Sequence, residues 1–259
     1  MDQEEEIFNQ FMELMKPFMK SHGFTKKNNN FYKRHPQGNI GIINFQKYFS
    51  KFTINISIYS YILAEAFLAE FGEKEVKKYP SEWDGHWRTR IDSLVPKQSP
   101  ECINLANSKS IEKGFADRWP ISDWWWRCYY VTSSDTICEV DAKELFDEVS
   151  PLIAKFAIPA IDQRITDEQL KSLLFSYKKP NSDDLQYLAT FFLASGEEEK
   201  LNIVLNKLGK IVQNNPQSTG LKRKYDTFMR ERRWIDEAYA QELERERELY
   251  RSKKRKKKQ

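Results

Sequence analysis

Between residues 31 and 59 apolar side chains recur every second position, and they do so in three consecutive stretches: FYKRH, IGIINFQKY and FTINISIY. Alternation of this kind places successive side chains on opposite sides of an extended chain. The last stretch is the cleanest, with Phe52, Ile54, Ile56 and Ile58 on one side and Thr53, Asn55, Ser57 and Tyr59 on the other. The intervening PQGN and the short FSK region suit antiparallel neighbours, so the segment reads as a three-stranded meander. A sheet with an apolar side must cover it, and the preceding segment supplies a cover. Ile7, Phe8, Phe11, Leu14, Met15, Phe18 and Met19 have the spacing of a helix with one buried stripe, ended by Gly23.

Downstream, residues 63–78 read as a helix ending before Pro80, HWRTRIDSLV as a fourth strand and WWWRCYYVT as a fifth, before the turn SSD. Asp141 is placed to cap a helix carrying Leu145, Phe146, Val149, Leu152, Ile153 and Phe156, with Glu144 as its capping-box partner. Pro151 inside that pattern predicts a kink or a break between two pieces, the break being the leading reading. From Ile165 the strand signal disappears. TDEQLKSLLFSYKK reads as a short helix, and NSDDLQ onwards as two helices hinged at Gly196; the best linker is 214–220. The expected fold is α+β: an antiparallel sheet of about five strands packed by helices, followed by an all-α C-terminal extension. The expected parts are residues 1–165, a helical hairpin at 166–215, a charged helix at 221–251 and a disordered tail at 252–259.

Composition narrows the function classes. The chain is 40% apolar and 14% aromatic, ample for a core. No apolar run follows the start MDQEEEIF, and nothing approaches the roughly 20 apolar residues of a membrane span, so a soluble cytoplasmic protein with no membrane partner is expected. Cys102, Cys128 and Cys138 are odd in number and lack a CxxC or CxH pattern, which disfavours both disulfides and a zinc site. His22, His35 and His86 stand apart from one another and from carboxylates at metal-ligand spacing. There is no HExxH, GxSxG or P-loop, and nine glycines leave little for a phosphate cradle. No catalytic residue, metal or cofactor is therefore expected; a site assembled from Asp84, His86 and Asp123 is the alternative. The EEE runs near residues 4 and 197 read as helix N-terminal charge.

Two surfaces emerge as candidates. ISDWWWRCYY as a strand puts Trp124, Trp126, Cys128 and Tyr130 on one side and Trp125, Arg127, Tyr129 and Val131 on the other. Packing on both sides is the leading reading of this triplet, and a partner surface centred on Trp125 and Tyr129 the alternative. In the meander, Asn44 and Gln46 alternate with Ile43 and Phe45, and Thr53, Asn55 and Ser57 with isoleucines. Such amides either bond across strands and do nothing more, or read a partner. The partner-binding candidates are Gln46, Asn55, Arg88, Arg90, Trp125 and Tyr129.

The second surface is electrostatic. Residues 221–259 hold 15 Lys/Arg against 8 Asp/Glu, whereas residues 1–220 hold 27 against 30. Lys253, Lys254, Arg255, Lys256, Lys257 and Lys258 form a run that binds polyanions by counterion release, or else only aids solubility. Arg230, Arg232 and Arg233 beside Trp234 either extend that stripe or pair with Glu231, Asp236 and Glu237.

HGFTKKNNNFYKR, INFQKYFSKFTINISIY, HWRTRIDSLVP, WWWR and KFAIPAID, in that order, resemble an uncharacterised bacterial family, domain of unknown function 4304, over residues 5–165. The resemblance implies an α+β domain with an antiparallel sheet, and some such domains occur among immunity proteins of toxin systems; it carries no catalytic residues with it. The expectation is a non-enzymatic protein-binding factor, immunity or defence-associated, that occludes a partner such as a toxin. The alternative is a nucleic-acid-associated protein tethered non-specifically through its basic helix and tail.

Overall fold

The computed structural model describes residues 3–71, 75–106, 108–111, 124–131, 137–231 and 245. The chain divides into two compact units: Met1–Ser60 with Tyr79–Thr166, and Tyr61–Lys78 with Asp167–Gln259. The second therefore takes in residues 61–78, which a linear reading places in the first.

The first unit is α+β. Helix α1 (Gln3–Ser21) is followed by β1 (Thr25–Lys27), β2 (Asn30–Arg34), β3 (Ile40–Tyr48) and β4 (Lys51–Tyr59). They pair antiparallel in chain order, with Asn44 opposite Asn55 and Ile43 opposite Ile56. The free side of β4 is a single lane occupied by two pieces of chain. β5 (Trp87–Arg90) runs beside Asn55–Ile58, and β6 (Trp126–Arg127) beside Lys51 and Phe52, completing a six-stranded sheet.

Register puts Phe31, Ile43, Phe45, Phe52, Ile54, Ile56 and Trp126 on one side, where α1 covers them. Ring centroids lie 5.4 Å apart for Phe8 and Phe52, 5.0 Å for Phe11 and Phe52, and 5.6 Å for Phe11 and Phe45. Trp126 stacks on Phe52 at 5.8 Å and is wholly buried. Each buried ring contributes about 1.5–3 kcal/mol by area, and each ring pair about 0.5–1.5 more.

Asp141 caps α5 (Ala142–Leu152), accepting from the Lys143 and Glu144 N–H groups. The helix packs on α1, with Phe18 and Phe146 at 5.9 Å. It does not break at Pro151: the chain keeps helical angles, widens into a π turn over Ile153–Ala157 and continues as α6 (Ile158–Asp162). The Ile158 N–H closes the wider turn on the Ile153 carbonyl, just before Pro159, which has no N–H to donate. Ile161 then fills the space beside Gly41 on β3, where a Cβ would overlap Ile161 Cγ2.

Two strand expectations need correction. HWRTRIDSLV is a strand only to Arg90; Ile91–Leu94 forms the short helix α3, because Ile91 and Val95, four residues apart, are buried on one face. A further helix, α4 (Pro100–Ala106), follows. WWWRCYYVT is two strands: the chain bends at Cys128, and β7 (Tyr129–Val131) leaves the main sheet to pair with β8 (Ile137–Glu139). The SSD turn lies outside the described residues.

The second unit is all-α: α2 (Tyr61–Phe71), α7 (Asp167–Ser176), α8 (Ser182–Ser195), α9 (Glu198–Asn214) and α10 (Thr219–Glu231). Helix α2 is shorter than residues 63–78 suggest, since 75–78 are not helical. Asn181 and Asp184 form a reciprocal capping box on α8, and Gly196 ends that helix in the left-handed region, φ 70°. Glu197 accepts from Lys171, Lys200 and Ser195, which hold its carboxyl down to about 2. Burial alone would lower the pKa of Lys171, but its bonds to Glu197 and Glu168 raise it above the ordinary lysine value. The EEE run at 197 is thus an ion-pair anchor at its first residue and helix N-terminal charge at Glu198 and Glu199.

Candidate functional site

The side of the sheet away from α1 is built differently. Asn30 on β2 lies opposite Asn44 on β3, Asn44 opposite Asn55 on β4, and Asn55 opposite Arg90 on β5. The amides are joined: Asn55 Nδ2 donates to Gln46 Oε1 at 2.8 Å and to Asn44 Oδ1 at 3.2 Å, and Asn44 Nδ2 donates to Asn30 Oδ1 at 2.8 Å. Asn55 is 4% exposed, so it positions the row, while Asn30 and Gln46 are half-buried at its ends. The oxygens of Gln46, Asn44 and Asn30 are the acceptors in this chain of bonds, whereas Asn55 takes part through its NH₂ group and its Oδ1 accepts none of them.

Around the amides, cations rest on rings. Trp125, on the opposite side of the chain from Trp126, has Lys51 Nζ 5.2 Å and the Arg90 guanidinium 6.0 Å from its centroid, with the Tyr48 ring at 6.3 Å. Arg88 lies 4.1 Å over Trp83, and Tyr79 carries Lys27 at 4.1 Å and Arg34 at 5.2 Å. Beyond Trp125 is the β3–β4 turn. Tyr48 is 55% exposed and Phe49 76%, and Phe49 has φ 51°.

Part of this side is roofed by residues 79–86. Tyr32 Oη donates to the Pro80 carbonyl at 3.1 Å, and Gly85 lies so close to β4 that a Cβ there would sit 2.6 Å from Ser57 Cβ. Arg88 holds the roof: its Nε and Nη2 reach Glu82 Oε1 at 2.9 and 2.8 Å, neutralising a buried carboxylate. His86 accepts from the Ser60 N–H at Nδ1, 3.0 Å, and burial pushes its pKa down to about 4, against a smaller upward pull from Asp84.

Five of the six residues singled out from sequence therefore share one side of one sheet: Gln46, Asn55, Arg88, Arg90 and Trp125. Their roles separate: Asn55 is buried within the amide row, Arg88 is exposed but is tied to the buried Glu82, and Gln46, Arg90 and Trp125 are half-buried. Tyr129 is on β7 in the separate ribbon, and its side chain lies outside the described residues. So do Arg232, Arg233, Trp234 and the run Lys253–Lys258; Arg230 lies in α10 with its side chain undescribed. Asn30, Tyr48, Phe49, Lys51, Lys27, Tyr79 and Trp83 were missed. The first four adjoin the meander and follow from its register, whereas Tyr79 and Trp83 arrive on a loop with no periodic signal.

For catalysis, Asp123 lies outside the described residues, and Asp84 receives bonds from the Ser81 N–H and hydroxyl. His22 Nδ1 bonds the Phe18 carbonyl and His35 Nδ1 accepts from the Gln37 N–H, so both serve local turns. Among the described residues no three His, Cys, Asp or Glu are grouped as a metal site, and no helix is long and apolar enough to cross a membrane.

Comparison with curated proteins and with solved structures gave no match. Residues 15–117, a narrower span than 5–165 that includes Gln46, Asn55, Arg88 and Arg90 but stops before Trp125, match the family described as Domain of unknown function (DUF4304).

Proposed function

We propose that the protein is a non-enzymatic binding factor that acts by covering a site on another protein, the task of an immunity or defence-associated factor in the cytoplasm. The observation that supports this reading is the joined amide row Asn30–Asn44–Asn55–Gln46, bordered by Trp125 with Lys51 and Arg90 on it and by exposed Tyr48 and Phe49. Aromatic residues and arginine are the side chains that dominate interface energetics, because they bury much area at low entropic cost and keep a polar handle. A rigid base matters equally: a row locked by its own hydrogen bonds loses little freedom when a partner docks.

The test is quantitative co-purification from the native host, comparing the native chain with a Trp125→Ala, Arg90→Glu variant. A partner that is recovered with the native chain and lost, by at least tenfold, with the variant supports the reading, provided both chains unfold at the same temperature. Recovery of the same proteins in equal yield removes this face from the function.

A further inference from the structure

We infer that the second unit binds double-stranded DNA by its phosphates, without reading sequence, on the hairpin formed by α9 and α10. This site is separate from the sheet face and does not depend on it. From Leu201 to Tyr225 there is no acidic residue, although 38 of the chain's 259 residues are acidic, which puts about four in an average stretch of this length. The same stretch carries Lys207, Lys210, Lys222, Arg223 and Lys224. The first acid beyond it, Asp226, is buried.

Two of these cations are engaged within the fold: Lys224 lies over the Phe67 ring at 5.8 Å, and Arg223 is half-buried with a partner. Lys207, Lys210 and Lys222 are exposed, and among the described residues none has a carboxylate within ion-pair distance. Lys200, at the start of α9, differs in being tied to Glu197 at 2.6 Å. Along α9, Lys207, Lys210 and Asn214 follow the i, i+3, i+7 spacing of one exposed stripe, with Asn206 and Gln213 beside it. The chain turns back over residues 215–218, and Gly209 lies against Tyr225, where an added Cβ would stand 3.0 Å from Tyr225 Oη. Lys222, one turn before Tyr225 in this antiparallel return, therefore stands at the same end of the hairpin as Lys210. Helix stability does not call for it there, since a helix dipole favours acids in the first turn and α10 has none.

What accompanies the lysines selects the occupant. Between Leu201 and Lys224 there is no aromatic residue. Protein partners are held mainly by Trp, Tyr and Arg, and lysine is depleted from their interfaces. An anionic bilayer takes helices that present large apolar side chains, whereas Leu201, Val204, Leu205 and Leu208 are buried within the unit and Ile203 is the one exposed apolar residue of α9. Single strands need rings on which their bases stack. Lysine accompanied by Asn and Gln is instead the set that contacts the phosphates and sugars of a duplex. Of the two duplexes, B-form DNA is the one whose major groove admits a helix.

A labelled DNA duplex of arbitrary sequence is titrated, by fluorescence anisotropy at several salt concentrations, with the full chain and with a full chain carrying Lys207→Gln, Lys210→Gln and Lys222→Gln. Losing three phosphate contacts should weaken binding by roughly tenfold or more and reduce the steepness of log K against log salt by about 2.7. The basic residues beyond 231 are the same in both chains, so the difference belongs to the hairpin. All three side chains are exposed, and the melting temperature should stay where it is. A third chain with Lys207→Arg, Lys210→Arg and Lys222→Arg keeps the charges and should keep both the affinity and the slope. Equal affinity and slope for the native and glutamine chains overturns the site, as does a native chain that does not bind. Tighter binding of the native chain to an RNA duplex, an oligothymidylate, phosphatidylserine vesicles or polyglutamate, each at equal total charge, overturns the choice of DNA.

Discussion

The two sides of strand β4 are about equally buried and have almost nothing else in common. Phe52, Ile54, Ile56 and Ile58 face α1 and neighbouring rings, and Thr53, Asn55 and Ser57, between them, are buried too. One side is stabilised by area, which has no direction; several alternative packings of similar volume would serve it almost as well. On the other, Asn55 is held by hydrogen bonds with fixed geometry while Ser57 Oγ is buried without a partner, and a buried amide left without its partner costs about 1–3 kcal/mol. The difference teaches that burial alone does not distinguish the apolar side from the polar one. The way the cost of burial is offset does.

The contrast is sharpest in its largest effect. Phe52 touches Phe8, Phe11, Phe45 and Trp126, so Phe52→Ala should lower stability by about 3–5 kcal/mol in urea unfolding. A loss below about 1 kcal/mol would mean that the apolar side is not the stabilising one. Acid should attack the other side. His86 titrates near its ordinary 6.5 when unfolded and at about 4 when folded, so protons favour the unfolded chain. Its contribution is complete above pH 6.5 and is lost progressively as pH falls to about 4, amounting to roughly 3 kcal/mol. His86→Asn should flatten the stability profile across that window. The smallest effect is predicted for Asn55→Ala, which leaves the Gln46 and Asn44 oxygens without their donor and should cost about 1–2 kcal/mol in thermal unfolding. A neutral outcome would show that the amide row contributes nothing to stability.

The long periodic elements were readable because their pattern is the physics that forms them: α1, β3 and β4 each bury a stripe. Placing Gln46 and Asn55 on one side needed only the period of two. Trp125 joined them because adjacent residues of an extended chain face opposite ways, and Trp126 faces the rings. What escaped depends on contacts distant in sequence. β1 is three residues without alternation, paired because β2 lies beside it. The arginines 88 and 90 looked equivalent, and only the approach of Glu82 from another turn makes one a support. Phe49 gives no sign in the sequence of its left-handed backbone, because phenylalanine is not a residue such turns select.

The shared lane beside β4 bears on the order of assembly. β5 joins after residues 60–86, and Trp126 returns to the same lane only after a second excursion, residues 91–125, has also been closed, each at an entropic cost of about 3 kcal/mol. Stacking on Phe52 offsets a penalty of that size, so the middle tryptophan of the triplet serves as a latch. The lower half of the lane is therefore expected to zip shut late in folding and to be the first part of the sheet to fray.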